Sequence, residues 1–244
     1  MKRICILMAV VTVVAMGFSG CFSHEAEIRV FTDSTGVQWR ILSENEDGNQ
    51  LIIAEHVHGL TQYNSINVYT FLGQSDRLRP ALDAWFANTL APELKEVALD
   101  AENVNNDVRL TAEGDVENFF EEVIHENGTA GWSIAASGTT SPENSLFILS
   151  ISEVNKYVTL GTLNMQGMTY LIEHDLYAPA AWWLRSPGSS AEDSVAIMSA
   201  GDTNGAKITA APATEKYGFR PALWITSMPP GLAPLAKKET QSFR

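Results

Sequence analysis

From Phe22 onward the sequence holds no cysteine; its two cysteines, Cys5 and Cys21, sit within and just after an apolar leader. Whatever the rest folds into has no disulfide to staple it, so a hydrophobic core, or a metal, must hold it. The composition meets that demand. Of 244 residues 45% are hydrophobic, enough for one generous domain or two small ones, and this excludes disorder over most of the length.

Lys2 and Arg3 precede an apolar run from Ile4 to Phe18, roughly 15 residues, too short to cross a ~30 Å hydrocarbon core as a permanent helix. It reads as a signal peptide. Its close, Phe18-Ser19-Gly20-Cys21, resembles a bacterial lipobox, in which small residues lead to the cysteine that becomes lipidated; Phe18 departs from the aliphatic residue usual there. The alternative is an ordinary secretory signal cut near the same place, with Cys21 incidental. Cleavage before Cys21 leaves 224 residues and removes Lys2 and Arg3 but no acid, so the net charge falls from −13 to −15. Acyl chains on Cys21 attach such a chain to a membrane durably. A surface this acidic repels phosphate backbones, which makes nucleic acid a poor partner.

The chain after the leader reads as one domain: a tether over 21–27, a domain over 28–226 with a candidate insertion at 101–145, and a flexible tail over 227–244. Ile28–Phe31, Val37–Leu42 and Leu51–Ala54 are expected strands, separated by turns at Asp33–Gly36 and Asp47-Gly48. They form a meander. Leu78, Leu82, Trp85, Phe86 and Leu90 fall at helical spacing behind Ser75 or Asp76 as N-cap, and Pro92 starts a second short helix running to about Leu99. Val116, Phe119, Phe120, Val123 and Ile124 predict an amphipathic helix ending before Asn127-Gly128. Leu146–Leu149 predicts a buried strand, and Ser150-Ile151-Ser152-Glu153 a capping box opening a helix toward Tyr157. Trp182–Arg185, Val195–Ser199, Lys207–Ala210 and Phe219–Ile225 complete the strands, with Asp202–Gly205 as a hairpin turn. No repeat, heptad or alternating βαβ rhythm is present, which argues against a doubly wound nucleotide fold.

Two segments carry a resemblance: Trp182-Trp183-Leu184-Arg185-Ser186-Pro187-Gly188, and Tyr217-Gly218-Phe219-Arg220-Pro221-Ala222-Leu223-Trp224-Ile225. With Gly36-Val37-Gln38-Trp39, the helix from Ser75 to Phe86 and Leu149-Ser150-Ile151-Ser152-Glu153, they resemble a domain family of unknown function common in extracytoplasmic proteins of Gram-positive bacteria. The likeness covers about residues 28–226. The closing Gly-Phe-Arg strand is distantly similar to that of formylglycine-generating enzymes and C-type-lectin-like domains. The resemblance implies an α+β, C-type-lectin-like fold, a small twisted antiparallel sheet with two or more flanking helices and long loops. It does not carry the oxidase chemistry, which needs active-site cysteines absent here.

On a strand, Trp182 and Leu184 face one side while Trp183 and Arg185 face the other. Arg185 and Arg220 therefore need a carboxylate or several carbonyls. One reading is a structural Arg–acid pair beneath stacked indoles. The other makes Trp183, Arg185 and Arg220 a pocket for an anionic or sugar-like ligand. Pro221 marks a bulge or an edge in the last strand.

His56 and His58, at i and i+2 on an extended stretch beside Glu55, are weak candidate metal ligands, and two solvated imidazoles at a strand end are the alternative. Asp202-Thr203-Asn204-Gly205 lacks the remaining ligands of a calcium loop and reads as a turn; Glu44–Asp47 reads as a solvated acidic turn. The carboxylate pairs Glu121/Glu122 and Glu173/Asp175 have no spacing that marks a glycosidase. Gly-x-Ser-x-Gly, Ser-x-x-Lys, His-Glu-x-x-His, Walker and Gly-x-Gly-x-x-Gly motifs are missing, so no catalytic residue and no cofactor is implied. The expectation is a lipid-anchored, non-catalytic surface domain that binds a protein or carbohydrate. An enzyme using carboxylates or a His-bound metal, and a purely structural envelope module, are the alternatives.

Overall fold

The computed structural model describes residues 22–99, 108–110, 116–118, 145–160, 162–163, 169–171, 177–179, 181–189, 195–202 and 205–243. The leader, Cys21, Asn127-Gly128, Glu121/Glu122 and Glu173/Asp175 lie outside the described residues. Among those described, no helix is long and apolar enough to cross a membrane.

The protein is mostly β, with few helices. Strands β1 (Phe22–Thr32), β2 (Gln38–Glu44) and β3 (Gln50–Ala54) form the expected meander. Its first turn is built by Asp33. One carboxylate oxygen accepts from the Thr35 and Val37 amides at 2.9 and 3.0 Å and from the Thr35 hydroxyl at 2.7 Å. The other accepts from the Trp39 indole at 2.8 Å. Gly36 follows at φ 91°, a left-handed conformation that glycine adopts without a Cβ penalty.

After β4 (His58–Thr61) a long loop leads to α1 (Leu78–Asn88), then α2 (Pro92–Val97) and β5 (Ala98–Leu99). Arg77, not Ser75 or Asp76, takes the N-cap position of α1. Ser75 still serves the helix: its hydroxyl accepts from the Leu78 amide at 2.9 Å and donates to the Tyr63 carbonyl at 2.5 Å.

A ribbon of β6 (Val108–Leu110) and β7 (Val116–Asn118) follows. The helix expected from Val116 is therefore not formed over its first residues, and the remainder lies outside the described ones. Val116-Glu117-Asn118 opposes 108–110 residue for residue, so strand pairing overrides the apolar spacing. Helix α3 (Ile151–Thr159) opens on the expected capping box. The Ser150 hydroxyl accepts from the Glu153 amide, and the Glu153 carboxylate accepts from the Ser150 amide.

Next come β8 (Thr169–Leu171), β9 (Tyr177–Pro179), β10 (Trp182–Pro187), β11 (Val195–Asp202), β12 (Gly205–Ala211), β13 (Tyr217–Phe219), β14 (Ala222–Ile225) and β15 (Leu235–Phe243). Asp202 pairs with Gly205 at the tip of the β11–β12 hairpin. Within the stretch beyond Ser227, expected as a loose tail, Leu235–Phe243 is strand β15. It pairs with β1 from Phe22↔Phe243 to Val30↔Leu235, so the 21–27 tether is strand from Phe22 onward. A strand at a sheet edge needs backbone partners more than an apolar face, and Lys237 and Lys238 are the charges that protect such an edge.

A six-stranded antiparallel sheet runs β15-β1-β2-β3-β14-β5, and a five-stranded mixed sheet runs β12-β11-β10-β13-β4, with β10 and β13 parallel. Phe219–Ile225 is therefore two strands in two sheets. Arg220 and Pro221 carry the chain from one to the other, as Glu55 and His56 do between β3 and β4. Trp39, Trp182, Trp183, Leu82, Phe147 and Leu223 are fully buried in one core. Leu146–Leu149 is buried as expected, but among the described residues it makes one β-bridge, Phe147 to Ala222.

Candidate functional site

Of the residues singled out in the sequence, Arg220 lies at the crossing between the two sheets, while Arg185 and Trp183 hold separate partners. Arg220 is 1% exposed. Its Nε donates to the Ala54 carbonyl at 2.9 Å and its Nη2 to the Glu55 carbonyl at 3.3 Å, while its Cζ lies 5.3 Å from the Trp182 ring centroid. The Ala54 amide in turn donates to the Pro221 carbonyl at 2.8 Å. Both crossings between the sheets are thus clasped together by one arginine.

Beside it, Arg40 grips Glu55 with two bonds, Nε to Oε2 at 2.7 Å and Nη2 to Oε1 at 2.5 Å. Burial works to raise the Glu55 carboxyl, but the Arg40 bond and charge, with Arg220 and His56, hold it below its ordinary value. Burial pushes the Arg220 guanidinium down to about 9, which leaves it charged at neutral pH.

Arg185 is 3% exposed. It donates to the Ile148 carbonyl at 2.7 Å and pairs with Glu153, and its Cζ lies 5.6 Å from the Phe147 ring centroid. Its own amide donates to the Leu149 carbonyl at 3.1 Å, and Ser186 accepts the Ile151 amide at 2.9 Å. Glu153 therefore closes the helix cap and neutralises the arginine with one carboxylate. Trp183 is buried, with its indole donating to the Thr61 carbonyl at 2.8 Å. Arg185 has the geometry of the Arg–acid pair, and Arg220 that of carbonyl satisfaction. Trp183, Arg185 and Arg220 are all buried, and neither of these two guanidinium groups is turned to solvent.

His56 and His58 do not share one strand. Glu55 and His56 bend the chain, and β4 starts only at His58. The His58 ring meets Trp85 edge-on at 5.2 Å. Burial, reinforced by the charges of His56 and Arg220 and opposed by Asp33, pushes His58 down to about 4. Among the described residues, no group of three His, Cys, Asp or Glu side chains is placed to hold a metal ion, and Glu55 is already committed to Arg40.

What sequence reasoning missed is the loop from Gln62 to Arg77. The Ala213 carbonyl accepts the Tyr63 and Asn64 amides at 2.9 and 3.0 Å, and the Ala213 amide donates to Asn67 Oδ1 at 2.7 Å. Asn64 Nδ2 reaches the Val68 carbonyl at 2.6 Å, and the Tyr69 hydroxyl donates to the Arg185 carbonyl at 2.6 Å. Ser65 binds the Asp76 carboxylate through both its amide and its hydroxyl. These bonds fix a loop that turns Ile66, 65% exposed, and Val68, 50% exposed, toward solvent. Tyr69 and Phe71 stand half-buried behind them, centroids 5.8 Å apart. Its clustered Asn, Ser and Asp were the available signal, since these residues bond nearby backbone.

The family described as "Domain of unknown function (DUF6273)" matches residues 47–227. The chain belongs to this family. The match takes in the Arg220 clasp, the Arg185–Glu153 pair and the braced loop, and it leaves out β1, β2 and β15. It begins at 47, later than the expected 28. No curated protein and no solved structure matches the chain.

Proposed function

We propose that this DUF6273 domain is a lipid-anchored, extracytoplasmic, non-catalytic module of C-type-lectin-like fold that binds a protein partner through the 62–77 loop. The observation that carries the reading is the pairing of exposed Ile66 and Val68 with a loop tied down on both sides. Exposed aliphatic groups cost water contact, and a rigid loop spends little entropy on binding, which together describe a recognition surface. The lectin-like reading is supported by small sheets flanked by helices and long loops. The export reading is supported by the leader and by the Phe18-Ser19-Gly20-Cys21 sequence that closes it.

A glycan is the second reading, carried by Tyr69 and Phe71, whose rings suit a sugar face. The enzyme alternative would need the carboxylates or the His56 and His58 pair, and the cationic Arg220 nearby disfavours a bound cation.

The test is a binding screen of the purified soluble domain against surface proteins, glycans and cell-wall fragments. It runs in parallel with an Ile66→Ser/Val68→Ser variant. Capture of a protein, lost in the variant, supports the proposal; capture unaffected by the variant, or turnover of a substrate, overturns it. Stoichiometric zinc or calcium in untagged protein, lost on His56→Ala, would favour the enzyme alternative instead.

A further inference from the structure

Strand β1 runs past the sheet that holds it. Its pairing with β2 starts at Arg29↔Ile41, whereas its pairing with β15 continues outward to Phe22↔Phe243. Residues 22–27 and 238–243 therefore make a two-stranded ribbon six residues long, about 20 Å at the rise of an antiparallel strand. Ile28, 1% exposed, is the last core residue before it. The ribbon starts one residue after Cys21, and both of its strands lie outside the family match.

We propose that this ribbon is a stalk of fixed height that carries the domain above a lipid surface. The proposal rests on the reading of Cys21 as the lipidated residue. A single six-residue tether would let the domain collapse onto the headgroups, whereas paired strands hold it away along their length. Charge gives the height a purpose. The ribbon itself carries Glu25, Glu27 and Glu239 against Lys238, so nearly all of the −15 lies beyond it. At physiological ionic strength the screening length is about 8 Å, so a ~20 Å stand-off removes most repulsion between the acidic domain and an anionic membrane.

The experiment uses the full chain expressed in a lipoprotein-processing bacterium. Ser23 and Ser242 face each other in the ribbon, and the chain offers no competing thiol once the leader is cut and Cys21 acylated. The double variant Ser23→Cys/Ser242→Cys is compared with Ser23→Cys/Thr240→Cys after mild oxidation, alongside metabolic labelling with radioactive palmitate. Near-complete bridging of the first pair, at least fivefold above the second, on labelled protein supports the stalk. Equal bridging of both pairs, or none in the first, overturns it and leaves lipidation standing if the label is present. Bridging in register without label overturns the anchor, and with it the stalk's role at a membrane.

Discussion

Arg220 and Trp182 are stacked partners from the two segments that most marked this sequence, the guanidinium carbon 5.3 Å from the indole centroid. The contact seats a buried arginine in the crossing between β13 and β14. It satisfies the carbonyls of the β3–β4 crossing from inside the core. Arg220→Ala is expected to destabilise the domain by about 3–5 kcal/mol, and Arg220→Lys by about 2–3 kcal/mol, because a lysine cannot serve two carbonyls in a fixed fork. Urea unfolding at pH 7.5 measures both; a change under 1 kcal/mol for Arg220→Ala would refute the clasp.

Acid sensitivity is expected in two windows. His58 is held near 4 in the folded protein against about 6.5 unfolded, so the unfolded chain gains the proton first as pH falls. Stability is complete above pH 6.5 and drains between 6.5 and 4, by up to about 3 kcal/mol. Glu55 is also depressed, so its contribution holds above its ordinary value of 4.5 and is lost as pH falls below that. Unfolding midpoints at pH 7.5, 5.5 and 4 test this. His58→Leu should flatten the first window, and an unchanged slope in that variant would count against it.

A methyl group at Gly218 would sit 2.1 Å from Val57 Cγ1. Gly218→Ala must therefore push β13 away from β4, with an expected cost of about 2–4 kcal/mol. Gly48→Ala has open space and meets only the strain of φ 81°, so it should cost about 1 kcal/mol. Thermal melts of the two variants side by side decide the point, and equal shifts would contradict the packing account.

Asp33 accepts four hydrogen bonds in one turn. Asp33→Ala leaves the buried Trp39 indole without its acceptor and is expected to cost about 2–4 kcal/mol. The Trp39→Phe background should absorb part of that cost. A double-mutant cycle with no coupling would show that the indole contact carries no weight.

On the loop, Ile66→Ser/Val68→Ser is expected to change stability by no more than about 0.5 kcal/mol. Calorimetry of the variant checks that any loss of partner capture is not loss of fold.

Much of the frame was legible from residue patterns. Ser150 and Glu153 announced a cap by their spacing, Trp182–Arg185 announced a strand, and the need of Arg185 for a carboxylate or several carbonyls was readable from its charge and place on a sheet. That Glu153 was this acid was not readable, because the pair spans 32 positions and nothing local links them. The split at Arg220-Pro221 was half-visible. Proline marked an interruption, but which sheet each side joined depended on distant strands. Two features escaped for opposite reasons. β15 has the composition of a tail and is ordered by backbone pairing, which leaves no apolar signature. The 62–77 loop looked like connection, and its rigidity comes from bonds to Ala213 and Arg185, far along the chain.

The joining of Ala54 to Arg220 and Pro221 also sets an order of events. The β3 edge that receives β14 stays bare until residue 222 is available, so the six-stranded sheet closes only when nearly the whole chain is present.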